Sequence, residues 1–127
     1  MKLDKELVRE ILLAVEASEE DPRASISLVV EGKTPMVVSY HVMLLHDAGL
    51  LVGQSHNHLG PGGFIWEPKH LTYSGHEFLD TVRDDEVWAL TKTGAEKVGS
   101  ASLSLMLELG KAYGKQVLKE RLGIELS

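Results

Sequence analysis

Four histidines fall within eighteen residues: His41, His46, His56 and His58. Imidazole titrates near neutrality and is the commonest nitrogen ligand for transition metals. His56-Asn57-His58 sets two rings on one short stretch, with His41 and His46 upstream. A zinc centre takes four ligands, or three and a water. An isolated His-x-His without further regular spacing does not supply them, and the chain has no cysteine. Thiolate ligands, thiol nucleophiles and disulfides are therefore excluded. A second cluster, Asp80, Asp84, Asp85 and Glu86, has the charge to hold a divalent cation. Acidic residues also gather in this way at a helix start, where they cap free N–H groups and meet the positive end of the dipole. Gly60-Pro61-Gly62-Gly63 is rich in glycine but lacks the Lys-Ser/Thr that turns such a loop into a phosphate cradle. No serine-hydrolase elbow, zincin helix or dinucleotide fingerprint occurs in the sequence. The expectation is a protein without catalytic residues, cofactor or bound metal.

A different kind of chemistry is written in residues 36–66, where Asp47 is the one formal charge. Met36, Tyr40, Met43, Phe64 and Trp66 fall in this stretch, beside His56 and His58. Interface cores are depleted of charge and enriched in Met, Tyr, Phe and Trp. These residues are the candidate interaction surface. To them we add Met106 and Tyr113, on a broad apolar side of the last helix, and Lys111, Lys115 and Lys119, which recur every four residues on another side.

The elements that must position these residues follow from spacing. Residues 3–18 form an amphipathic helix capped by Asp4, with Leu7, Val8, Ile11, Leu12 and Val15 as its buried stripe. Residues 25–31 alternate, with Ile26, Leu28 and Val30 on one side, which predicts a half-buried strand. Thr34 and Pro35 open a second helix by supplying a side-chain acceptor and a residue with no N–H to lose. Its predicted apolar face is Val37, Tyr40, Leu44 and Ala48, with His41 and Leu45 alongside, and Gly49 ends it. Residues 50–54 and 64–71 read as two strands joined by a turn-rich loop, with Pro68 marking the second as an edge or bulged strand. Thr72 caps a helix over residues 73–83, Asp84 or Asp85 caps another over 86–98, and Ser102 opens a last helix to about residue 121. Gly110 and Gly114 would let a second helix approach closely.

Residues 40–51, Tyr-His-Val-Met-Leu-Leu-His-Asp-Ala-Gly-Leu-Leu, resemble the helix-to-wing junction of bacterial winged-helix proteins. Residues 71–80, Leu-Thr-Tyr-Ser-Gly-His-Glu-Phe-Leu-Asp, followed by Arg83-Asp84-Asp85 and Trp88, resemble an uncharacterised bacterial and prophage family, domain of unknown function 2513. The resemblance spans about residues 1–120. It implies a winged-helix-like fold and a frequent home in mobile elements, and it brings no catalytic residues. The expected architecture is thus α+β and mainly helical: helix, strand, helix, strand, wing and strand over residues 1–83, with a helical C-terminal extension over 84–127 packed on it as one structural domain.

Charge shapes the functional expectation. The chain of 127 residues is 43% apolar and 25% charged, with a net charge of −6, as for an ordinary soluble domain. Residues 1–91 hold 7 Lys/Arg against 15 Asp/Glu, and residues 92–127 hold 6 against 4. An acidic body disfavours a polyanion, and the predicted second helix and wing contain no Lys or Arg to read bases or hold phosphates. The place of a positioning helix is also taken by the predicted strand. DNA binding by a winged-helix transcriptional regulator is the alternative. The preferred expectation is a cytoplasmic, non-enzymatic regulatory or protein-interaction module, acting on a protein partner (a host protein, if phage-borne) and forming a homodimer through the C-terminal helix. No run is apolar and long enough to span a membrane, and residues 1–6 do not read as a signal peptide.

Overall fold

The computed structural model describes residues 1–56, 63–99 and 102–123. In chain order the elements are α1 (Lys5–Ala17), α2 (Pro35–Asp47), β1 (Leu51–Ser55), β2 (Trp66–Leu71), α3 (Tyr73–Val82), α4 (Asp85–Lys97) and α5 (Leu103–Leu122). The chain divides into two compact units, Met1–His76 and Glu77–Ser127. The division falls within α3, ahead of the boundary at residue 83 expected from sequence. No helix among the described residues is long and apolar enough to cross a membrane.

The mainly helical character is as expected, but the winged-helix order is not formed. Among the described residues the sheet has two strands, β1 and β2, paired antiparallel. The strand predicted at residues 25–31 is absent. Ile26, Leu28 and Val30 are half-buried while Ser27 and Val29 are exposed, so the alternation does turn one side inward. It does so without a ladder. The Ile26 N–H donates to the Pro68 carbonyl at 2.8 Å. Pro68 has no N–H to return the bond, which an antiparallel pair requires. A bulge also breaks β2 beside it: Val52 pairs with His70 but Gly53 with Pro68. The edge that a third strand would need is therefore interrupted.

In the first unit, α1 buries Leu7, Val8, Ile11, Leu12 and Val15, the stripe read from its periodicity. The Asp4 carboxylate caps it by accepting the Leu7 N–H at 3.2 Å. Thr34 caps α2 by accepting from Val37 N–H at 3.2 Å, with Pro35 at the first position. The buried side of α2 is Val38, Ser39, His41, Val42 and Leu45. The predicted face is thus corrected by about one residue: Val37, Tyr40 and Leu44 are half-buried and Ala48 is exposed. Apolar residues surround nearly the whole of this helix, so spacing alone could not select its inner side.

Gly49, at φ +77°, turns α2 into β1. Thr72 then ties the far end of the hairpin to that turn. Its N–H donates to Leu50 O at 3.1 Å, its hydroxyl donates to Gly49 O at 2.5 Å, and its Oγ1 accepts the Gly75 N–H at 3.0 Å.

In the second unit, Asp84 caps α4 by accepting from Glu86 N–H at 3.0 Å and Val87 N–H at 3.1 Å. Ser102 caps α5, which ends at Gly123 with φ +68°. Gly110 and Gly114 do admit a second helix, and it is the C-terminal half of α3. A Cβ at Gly110 would lie 3.3 Å from Val82 Cγ1, and one at Gly114 would lie 3.1 Å from Thr81 Cγ2. Phe78, Leu79, Val82, Val87, Trp88, Ala95, Met106 and Val117 are buried here.

Candidate functional site

His41 and His46 bond within the fold of the first unit. His41 is fully buried. Its Nε2 accepts the Asp4 N–H at 2.8 Å, and its Nδ1 lies 2.8 Å from Val37 O. Accepting at Nε2 puts the ring proton on Nδ1, which donates to that carbonyl. Asp4 is in turn bound by Lys33, 2.7 Å from its Oδ2. The Lys33 ammonium is the main reason the Asp4 carboxyl lies below the usual carboxylate range. His46 Nδ1 accepts the Gly53 N–H at 3.1 Å, and its ring lies 5.3 Å from that of Trp66, tilted by 44°. Ser39 Oγ accepts the Trp66 N–H at 3.1 Å. These bonds fasten β1 and β2 to α2.

Ser25, His56 and Glu67 form a contact that no spacing in the sequence reveals, since Ser25 and His56 stand thirty-one residues apart. His56 Nε2 lies 3.2 Å from Ser25 Oγ and 3.4 Å from Glu67 Oε1. The residue types are those of a nucleophile, base and acid. A relay of that kind uses the two ring nitrogens separately, one for the nucleophile and one for the acid. Here both partners address Nε2, so the carboxylate cannot orient the ring toward the hydroxyl. The geometry joins the 25–30 segment to the hairpin and has no built-in proton path. His58 lies outside the described residues. Among the described residues no three His, Asp or Glu side chains are grouped to hold a metal ion.

Beside these bonded polar groups, apolar side chains of the region stay partly accessible. Met36 is 55% exposed, and Tyr40, Met43, Phe64 and Trp66 are half-buried. Met36, Tyr40 and Met43 recur at helical spacing on the side of α2 opposite Val38 and Leu45. The other candidates lie in the second unit. Met106 is fully buried and is a core residue, not a surface one. Tyr113 is half-buried and packs on Gly94, whose Cβ would come 3.0 Å from the Tyr113 hydroxyl. Lys111, Lys115 and Lys119 are exposed.

Two of those lysines border a groove of about 380 Å³ between α3 and α5. Glu77, Asp80 and Asp84 line one wall, Lys111, Lys115 and Arg121 the other. Arg121 closes one end. Its Nη1 donates to Asp84 Oδ2 at 2.6 Å, and its Nη2 donates to Asp84 Oδ1 at 3.1 Å and Glu86 Oε2 at 3.3 Å. The Arg121 guanidinium, with the two backbone N–H donors of the cap, brings the Asp84 carboxyl down to about 2. The acidic cluster is thus partly a helix start, as expected, and partly an ion-pair site for Arg121. That partner was missed because it stands thirty-seven residues away and looks, in sequence, like one more cation of a basic tail.

An "Uncharacterized protein" of Haemophilus influenzae strain Rd is 36% identical over 125 residues, covering 96% of this chain and 99% of that protein. The model of the family described as "Hypothetical protein (DUF2513)" matches residues 2–102. The chain belongs to this family. The match takes in the Thr72–Gly75 tie and both strands. No solved structure matches.

Proposed function

We propose that the protein is a cytoplasmic, non-enzymatic interaction module that docks on another protein through the outer side of α2 and the hairpin, and that it associates with itself through α5. The observation that carries the docking reading is the pairing of two facts about residues 36–66. Asp47 is their one formal charge. Ser39, His41, His46 and His56 are committed to bonds within the fold, while Met36, Tyr40, Met43, Phe64 and Trp66 stay partly accessible. Such a surface offers apolar area and ring faces and few polar groups to desolvate, which is what an interface core requires.

A photo-crosslinking residue at position 36 tests this in the source cell, with position 10, on the exposed side of α1, as the control. The expected result is one discrete protein adduct from position 36, absent from position 10 and absent when Tyr40→Asp is added. Equal labelling at both positions, or no adduct at either, would overturn it. So would tight, salt-sensitive and sequence-selective binding to DNA in a mobility-shift assay.

A further inference from the structure

Lys111 and Lys115 stand four apart on the exposed side of α5, and neither makes a hydrogen bond or ion pair among the described residues. Glu77 and Asp80 stand three apart on the exposed side of α3. Thr81 and Val82 lie against Gly110, Thr81 against Gly114, and Asp84 meets Arg121 further on. The two helices therefore run in the same direction along the groove, and the acidic row lies level with the basic row on the opposite wall. Between the walls lie Thr81, Gly114 and Leu118, the last 45% exposed. Asp80 also meets Arg83, just past the end of its own helix, at 3.2 Å. That is an exposed pair of the kind worth little, so it leaves the carboxylate available to a second cation.

We propose that this face binds a second copy of the same chain, related by a two-fold axis that runs along the groove. Rotation about that axis exchanges the two walls. The acidic row of each copy then lies over the basic row of the other, at the same level, and the two Leu118 side chains meet near the centre. A two-fold axis running across the groove would set acid on acid and base on base. The charge pattern therefore selects one of the two arrangements in which the faces can meet, and a self-complementary patch of this kind closes at two copies. Arg121 does not compete for the acidic row, because Asp84 and Glu86 already hold it. This inference rests on the self-association part of the proposed function and is independent of docking through α2.

Sedimentation velocity on the full chain tests it over a roughly thousandfold range of concentration. The expected result is a shift from one to two copies of the 14.0 kDa chain, weakened by added salt. The paired reversals Lys111→Glu/Lys115→Glu and Glu77→Lys/Asp80→Lys should each weaken the dimer by about tenfold or more. Circular dichroism should show both variants folded, since all four side chains are exposed. Mixing the two variants is the decisive step. One then carries acid on both walls and the other base on both walls, so together they should form a mixed dimer tighter than either alone. A wild-type chain that stays single over the whole range, or reversals that leave its dimer unchanged, would overturn the proposal. So would variants that dissociate but fail to pair when mixed. The position-36 crosslink reports on α2 in the first unit and should be unchanged by either pair.

Discussion

Gly75 lies so close to Leu50 that a Cβ at position 75 would stand 1.8 Å from the Leu50 carbonyl oxygen. The obstacle is backbone on both sides. Leu50 O is also the acceptor for the Thr72 N–H, and the Thr72 hydroxyl holds the neighbouring Gly49 carbonyl. Neither chain can move without breaking the tie between the α2–β1 turn and the start of α3.

Gly75→Ala should therefore be among the most damaging single changes in the first unit, costing more than about 4 kcal/mol as a steric clash that cannot relax. Thr72→Val keeps the shape and removes the cap and the hydroxyl bond, and should cost about 1–2 kcal/mol. Urea denaturation of the two variants measures both. A Gly75→Ala protein of wild-type stability would show that the turn and α3 do not meet as described.

His41 leads to a second expectation. Its Nε2 is the acceptor for the Asp4 N–H, and the ring is fully buried, so no water can replace it. His41→Leu strands that donor, while the Val37 carbonyl loses the ring N–H and keeps its helical partner. A buried unsatisfied group costs about 1–3 kcal/mol. Hydrogen exchange at the Asp4 amide gives the specific readout: protection should fall in the variant by more than the loss of global stability explains. The Asp4–Lys33 pair should survive, since Lys33 reaches the carboxylate and not the ring.

Gly94 reverses a sequence-level rule. Glycine inside a helix costs about 1 kcal/mol against alanine, so Gly94→Ala reads as a stabilising change. In the fold a Cβ there would meet the Tyr113 hydroxyl at 3.0 Å, its ring at 3.2 Å and Leu109 Cδ1 at 3.3 Å. Ring and aliphatic side chain crowd the same point, so Gly94→Ala should lower the melting temperature. Adding Tyr113→Ala should remove that penalty and let the helix gain show. The double-mutant cycle measures the coupling.

These cases separate what the sequence states from what it leaves out. The stripe Leu7, Val8, Ile11, Leu12 and Val15 was legible because α1 has a polar side to contrast with it. The caps Asp4, Thr34, Asp84 and Ser102 were legible because capping is decided within three residues. The inner side of α2 was not, because a helix apolar on nearly every side gives periodicity nothing to measure. The alternation of residues 25–31 correctly marked an inward-facing side but could not say whether a ladder accompanies it. That depends on Pro68, about forty residues on in the chain. The winged-helix expectation rested on the α2–Gly49–β1 junction, which is present, and extended a local likeness to an order of strands the chain does not form. Among the candidate residues, spacing found the exposed lysines but also chose Met106, which the core takes. It missed Arg121 and the Ser25–His56–Glu67 contact, whose members meet only through the fold.

The Asp84–Arg121 pair makes the pH dependence of the second unit a matter of sign. The Asp84 carboxyl is held at about 2 in the fold, against an ordinary value of 3.8. A carboxyl depressed on folding adds stability that is present above its unfolded value and lost as pH falls through its folded one. The loss from this group therefore belongs between about pH 4 and about pH 2. Carboxyl carbon shifts followed by NMR should place the Asp84 midpoint near 2. In Arg121→Gln the largest cause of the depression is gone and the cap donors from Glu86 and Val87 remain. The midpoint should then rise toward 3.8 without reaching it. Asp84→Asn separates the two roles from the other side: the amide oxygen still caps α4, while the charge that holds Arg121 is lost. If the Asp84 midpoint in the Arg121→Gln variant stays where it is in the wild type, the guanidinium is not what holds it down.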